Sequence, residues 1–278
     1  MVLPSNDSAA SEDLSSVASF TTDRLVAILA IILVGIITGF AAGMFGIGGA
    51  LLSTPLLFEI AGLPWEFALA TPLPATIPAA IGGTFVYWRE GYLRLDVAFK
   101  VLIVGLPASP LGAWLVRFVA GEVMMILTGA VLLYSALAFL RKRLDTEIEG
   151  TSGETEPAAP PASMILGIGA LAGLMSGFLA IGGGMVMVPA FVFLLRMPTK
   201  QALATSLLCV AGLAVPGSIM HHISGYIDWQ AALILMASVM PVSALGARVA
   251  SRMRSRRLEL IYAIGTLIFA LVFIARQL

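Results

Sequence analysis

Apolar residues in this chain fall into uninterrupted runs, without the stripe of a surface helix or the alternation of a half-buried strand. The runs cover residues 25–46, 49–61, 67–88, 97–117 and 123–140, then 163–181, 184–195, 201–222, 229–248 and 258–275. Most match the ~20 helical residues needed to cross a hydrocarbon core. The second run of each set of five is shorter, about 11 to 13 residues. It is either a tilted, broken span or a re-entrant helix. The pattern therefore predicts an all-α fold: a polytopic transmembrane helical bundle of about 8–10 membrane segments, some broken or re-entrant.

Two polar stretches frame the runs. Residues 1–24 carry Asp7, Glu12 and Asp13 and lack the basic start and small-residue cleavage site of a secretory signal. A disordered N-terminal tail is expected there. Residues 141–162 hold an Arg-Lys-Arg cluster, then Asp145, Glu147, Glu149, Glu154 and Glu156 among Gly, Ser, Thr and Pro. That composition buries too little surface to order itself and predicts a polar linker. The expected domains are thus a first transmembrane repeat over 25–140 and a second over 163–278.

The word repeat rests on self-similarity. Shifting the sequence by 134 residues aligns 35–113 with 169–247 without a gap, and 23 of the 79 positions are identical. The identities gather at residues with backbone meaning, among them Gly43/Gly177, Gly48/Gly182, Gly49/Gly183, Pro55/Pro189, Thr71/Thr205 and Gly91/Gly225. Basic residues add an orientation. Arg248, Arg252, Arg254, Arg256 and Arg257 crowd the loop before the last run, where the first half has Arg117 alone. Conversely, Arg89, Arg94 and Lys100 surround a loop that is bare in the second half. If every run crosses once, 13 of the 16 Lys and Arg lie on one side, leaving Arg24, Arg117 and Arg276 on the other. Basic residues mark the cytoplasmic side, so the two halves are expected to be inverted relative to each other, an arrangement found in many secondary transporters.

Composition narrows the function classes. Apolar residues make up 59% and charged residues 12%, with a mean hydropathy of +0.99, so water is not the main solvent. Net charge is zero and no soluble basic domain is present, which excludes nucleic-acid binding. The single cysteine, Cys209, excludes an internal disulfide or a CxxC site. No Gly-Lys-Ser/Thr follows the glycines, so they are not a nucleotide loop. Without a Ser-His-Asp, HExxH or paired-carboxylate set, no enzyme, cofactor or metal site is expected. His221 and His222 align with Tyr87 and Trp88, residue types of the membrane interface.

The candidate chemistry lies in the glycine runs, Gly48-Gly49 after Gly46 and Gly182-Gly183-Gly184 after Ile181, each at the start of the short second run. A helix that stops and restarts there exposes unpaired N–H groups and the positive end of a helix dipole inside the membrane. Glycine also lets a ligand approach the backbone, so the break suits an anion. No basic residue lies deep in any run, so hydroxyls must do the rest: Ser53 and Thr54 beside the first break, and Thr71, Thr205 and Ser206 at repeat-related positions. Membrane Ser and Thr also simply bond the carbonyl one turn back, and Gly35, Gly39 and Gly43 have the spacing of close helix packing. A proton or sodium ion as coupling partner calls for a carboxylate in the membrane, yet Glu59, Glu66, Asp96, Glu122 and Asp228 all sit near run ends.

The motif at 43–55, GMFGIGGALLSTP, its copy at 177–189, GFLAIGGGMVMVP, and the Ala-Thr-Ser at 204–206 resemble the TauE/SafE family, also called TSUP. The similarity spans the chain apart from the tail and linker. It implies a multi-pass carrier of the bacterial or archaeal cytoplasmic membrane for a small anion such as sulfite, a sulfonate or a carboxylate, with oligomeric state open. An anion channel and a membrane-embedded sensor or accessory subunit are the alternatives. Ala50 stands where the second copy has Gly184, and Pro72 where it has Ser206, so the two half-sites are not equivalent.

Overall fold

Helices form along the long apolar or helix-favouring stretches, and breaks fall where glycines take positive φ. The computed structural model describes residues 6–119, 121–148, 161–180 and 182–275, and all its regular structure is helical. The first half holds α1 (Asn6–Phe45), α2 (Ala50–Ile60), α3 (Trp65–Ala70), α4 (Pro72–Arg89), α5 (Leu95–Leu115) with a 3-10 turn at Val116–Phe118, and α6 (Gly121–Ile148). The second holds α7 (Ala162–Phe178), α8 (Gly184–Phe193), α9 (Thr199–Ile223), α10 (Trp229–Arg252) and α11 (Ser255–Ala275). Among the described residues, five helical stretches are long and apolar enough to cross a membrane: Leu25–Phe45, Glu66–Arg89, Leu95–Phe118, Thr199–Ile223 and Trp229–Arg252.

Helix extends further at two places than the sequence pattern predicts. α1 is helical from Asn6, through most of the expected disordered tail, because no Gly or Pro interrupts residues 5–34. Likewise α6 carries the helix to Ile148, into the expected linker at 141–162, since Lys, Arg, Leu and Glu are good helix formers whether or not they are buried. A polar composition argues against burial, not against helix. The rest of the expected linker, 149–160 with Glu149, Glu154 and Glu156, lies outside the described residues, as do residues 1–5, Ile181 and Arg276.

Element starts recur at the offset seen in the sequence. α2 and α8 begin at 50 and 184, α3 and α9 at 65 and 199, α5 and α10 at 95 and 229, and α6 and α11 at 121 and 255, each pair 134 apart. One difference has a plain cause: α9 is continuous where α3 and α4 are separate, because Pro72 has no N–H to continue the ladder and Ser206 does.

The halves interlock instead of packing side by side. α1 runs along α10 and α7 along α5, while α4 and α9 lie against each other at the centre. The apolar windows of α4 and α9 are 78% and 61% buried, against 28–33% for the windows in α1, α5 and α10. Small residues permit the two long seams. A methyl group on Gly39 would sit 2.8 Å from the Val239 carbonyl oxygen, and on Gly43 1.9 Å from that of Ser243. The second seam repeats this, with Gly173 against the Gly105 carbonyl and Gly177 1.9 Å from that of Ser109.

The polar staples are exchanged in the same reciprocal way. Ser109 Oγ donates to the Leu213 carbonyl and Ser243 Oγ to the Ala79 carbonyl, at 3.0 and 2.6 Å. Tyr87 donates to the Gly43 carbonyl, and His221 Nε2 lies 3.2 Å from the Gly177 carbonyl. The two serine contacts interchange when 134 is added to one residue number and subtracted from the other, and the Tyr87 contact becomes the His221 contact when 134 is added to both. His221 is thus buried as a staple between α9 and α7, while exposed His222 accepts from the Trp229 indole.

Candidate functional site

The two glycine breaks are built by backbone that only glycine adopts freely. Gly46, Gly48 and Gly49 have φ of 71°, 83° and 89° between α1 and α2, and Gly182 and Gly183 have 73° and 74° between α7 and α8. Ala180 joins them at 52°, where Gly46 stands in the first half. Gly49 and Gly183 are the N-caps of α2 and α8, and no side chain caps either helix. Their carbonyls accept from the amides of residues 52–53 and 186–187, so the helices start at once, with their first-turn amides at the breaks.

These breaks meet. A methyl group on Gly184 would lie 2.7 Å from the Gly46 carbonyl oxygen and 2.8 Å from Ile47 Cα. Gly48 and Gly182 both face Val210 of α9, at 2.5 and 2.8 Å on the same measure, with Thr76 of α4 next to each. Thr76 and Val210 are themselves 134 apart. Ser206 ties the two together: its Oγ donates to the Gly46 carbonyl at 2.9 Å and lies 3.5 Å from that of Gly184. The central helices α4 and α9 thus clamp two uncapped helix starts face to face.

The hydroxyls expected beside the glycines divide into two groups. Ser53 donates to the Gly49 carbonyl and Thr54 to the Ala50 carbonyl, within the first turn of α2. Thr71 and Thr205 serve the loops of the opposite half. Thr71 Oγ1 accepts from the Asp228 amide and Thr205 Oγ1 from the Arg94 amide, residues again 134 apart. Arg94 and Asp228 are the N-caps of α5 and α10, so each threonine anchors the start of a helix from the other repeat. Two residues at the breaks were not singled out from sequence. Thr76 lies between Gly48 and Gly182, and Ser176 packs its Cβ 3.4 Å from where a methyl group on Gly183 would sit. The signal available was a hydroxyl with an apolar repeat partner, Val210 and Ala42 respectively.

Electrostatically the interior is neutral. Among the described residues, the buried polar groups are the hydroxyls of Ser, Thr and Tyr, the Cys209 thiol and the His221 ring, with no buried carboxylate, Lys or Arg. Glu59 and Asp96 are exposed, and Asp96 pairs with Arg94 at 2.9 Å. Asp228 caps α10 by accepting from the amides of Gln230 and Ala231. No cluster of His, Cys, Asp or Glu among the described residues is fit to hold a metal. A cavity of about 520 Å³ between α6, α7 and α8 has Tyr134 as its one polar side chain and offers an anion little. The breaks instead offer amides and hydroxyls, which can bind an oxyanion without a counter-charge.

Comparison with known proteins bears on the family of the chain. A profile of the family described as "Sulfite exporter TauE/SafE" matches residues 31–273. Among curated relatives, a "Probable membrane transporter protein" of Xylella fastidiosa is 28% identical over 240 residues, covering 85% of this chain and 90% of the relative. The "Probable membrane transporter protein YunE" of Bacillus subtilis is 25% identical, covering 84% and 92%. A counterpart from the archaeon Methanocaldococcus jannaschii is 26% identical, covering 83% and 89%. These relatives are named as membrane transporters, not as enzymes. No solved structure matches. The chain belongs to the sulfite exporter TauE/SafE family.

Proposed function

We propose that this protein is a secondary transporter of small sulfur-containing or organic oxyanions across the cytoplasmic membrane, working by alternating access around the two glycine breaks. The observation that carries the reading is the meeting of two uncapped helix starts, bridged by Ser206 and clamped by α4 and α9. The dipoles and first-turn amides of α2 and α8 supply positive potential, and the absence of a buried Lys or Arg among the described residues lets the anion leave as readily as it enters. Sulfite and sulfonates head the substrate list because the family description names sulfite.

The breaks touch closely enough that not even a methyl group fits at Gly184. An anion therefore enters only when one half moves against the other, which supports a carrier over an open pore. Reciprocal staples and the inverted distribution of Lys and Arg support two oppositely oriented repeats whose exchange interconverts the outward and inward states.

Purified protein in liposomes is expected to take up labelled sulfite or ethanesulfonate with saturation and counterflow. Imposed proton or sodium gradients then identify a coupling ion. Ser206→Ala, which removes the bridge without adding bulk, should reduce uptake severalfold in protein that still elutes as a folded species. Flux that does not saturate would assign a channel, and binding without flux would assign a sensor; either result overturns the proposal.

A further inference from the structure

The two breaks are built alike but furnished differently. Around the start of α2, the positions facing Gly49 are Thr38 and Ala42, which meet a methyl group there at 3.2 Å through the Thr38 carbonyl oxygen and Ala42 Cβ. Around the start of α8, the equivalents facing Gly183 are Ala172 and Ser176. Ser176 is fully buried on α7, and its Oγ has no hydrogen-bond partner among the described residues. A serine in a helix normally resolves this by bonding the carbonyl one turn back, as Ser53 and Thr54 do here. A hydroxyl left unmatched in a buried site is costly unless something else meets it.

The other differences between the breaks point the same way. Ser206, placed against Gly184, occupies the position held by Pro72 in the first half. Its hydroxyl proton goes to the Gly46 carbonyl, which leaves its lone pairs free, so Ser206 closes the first break onto the second. Gly184 stands where the first half has Ala50, leaving the first residue of α8 without a side chain. The α8 start therefore has an orphan hydroxyl donor and a first residue with no side chain of its own, covered by Gly46 and Ile47 while the breaks are closed, whereas the α2 start has the apolar Ala42 beside it.

We infer that the anionic head of the transported oxyanion is seated at the α8 end of the site alone, where Ser176 Oγ–H and the first-turn amides of α8 donate to its oxygens. The α2 break is the closing face. This rests on the anion-transport reading above and sharpens it from two half-sites to one seat. It also names a chemical preference. A hydroxyl and helix-start amides with no cation favour a compact oxyanion, sulfite or a sulfonate, whose oxygens accept several hydrogen bonds at once, over a halide of the same charge.

The test pairs Ser176→Ala with Ala42→Ser. Each writes into one half the residue that the other half already carries, so neither introduces a shape foreign to this fold. Affinity for sulfite is read by the concentration dependence of thermal stabilisation in detergent, and transport by labelled sulfite uptake in liposomes, with chloride as the competing probe. Ser176→Ala should weaken sulfite binding about tenfold or more, as loss of a hydrogen bond to a charged group does. The melting temperature without sulfite should stay level or rise. Ala42→Ser should leave sulfite affinity unchanged. If Ser176→Ala fails to fold, Ser176→Cys, a weaker donor of similar size, should give an intermediate loss. Unchanged affinity in the serine variants while wild type still transports sulfite overturns the seat and leaves the transport reading standing. Wild type that neither binds nor moves sulfite, ethanesulfonate or acetate overturns both.

Discussion

Gly177 offers a test in which two physical effects predict opposite signs. It sits in α7, so replacing it with alanine should help the helix by about 1 kcal/mol if propensity alone decides. The seam with α5 predicts the reverse. The new methyl group would lie 1.9 Å from the Ser109 carbonyl oxygen and 2.7 Å from the Ala113 amide nitrogen, both backbone atoms that cannot swing aside. Restoring a carbon–oxygen contact of about 3.3 Å requires α5 and α7 to part by about 1.4 Å at that point. A gap of that order forfeits roughly half of the dispersion energy of the neighbouring contacts. Overpacking costs of about 1–3 kcal/mol are therefore expected, and they outweigh the propensity gain. The same helix contains its own control: a methyl group on Gly167 has no neighbour within 4 Å. Thermal unfolding in detergent, with monodispersity checked by size exclusion, should show Gly177→Ala melting below wild type and Gly167→Ala level with it or above. Equal, upward shifts for the two variants would refute the seam argument and assign these glycines to flexibility.

Thr71→Val and Thr205→Val each remove the acceptor for a helix-start amide, of Asp228 and Arg94 respectively. Each should cost about 1 kcal/mol of stability while sulfite affinity stays at the wild-type value; a selective loss of affinity would return these threonines to the binding site. The proposed inversion of the two halves can be tested by cysteine labelling, since the lone native thiol, Cys209, is fully buried. With Cys209 replaced by alanine, Arg117→Cys and Arg254→Cys should react with an impermeant thiol reagent from opposite sides of the membrane. Reaction from one side would sink the inverted repeat.

Much of this protein was legible in the order of its residues. Burial in a membrane demands long apolar runs, so composition and run length alone predict a helical bundle, and the duplicated Gly and Pro positions predict that the two halves share element starts. The glycine breaks were equally visible, because each glycine cluster is duplicated at the start of a short run; a Gly-Gly by itself is not enough, since Gly82-Gly83 continues α4. Helix ends beyond the membrane runs were not visible, since polar residues in α1 and α6 tolerate helix as well as coil. The partner of each hydroxyl was hidden too. Thr71 and Ser206 look alike in sequence, yet one anchors Asp228 across 157 residues and the other bridges Gly46 and Gly184. Thr76 and Ser176 gave little sign of proximity to the breaks, because their neighbours come from other helices. Local backbone preference is written residue by residue and can be read along the chain. Which side chains face one another depends on how interlocked helices cross, and only the folded bundle decides that.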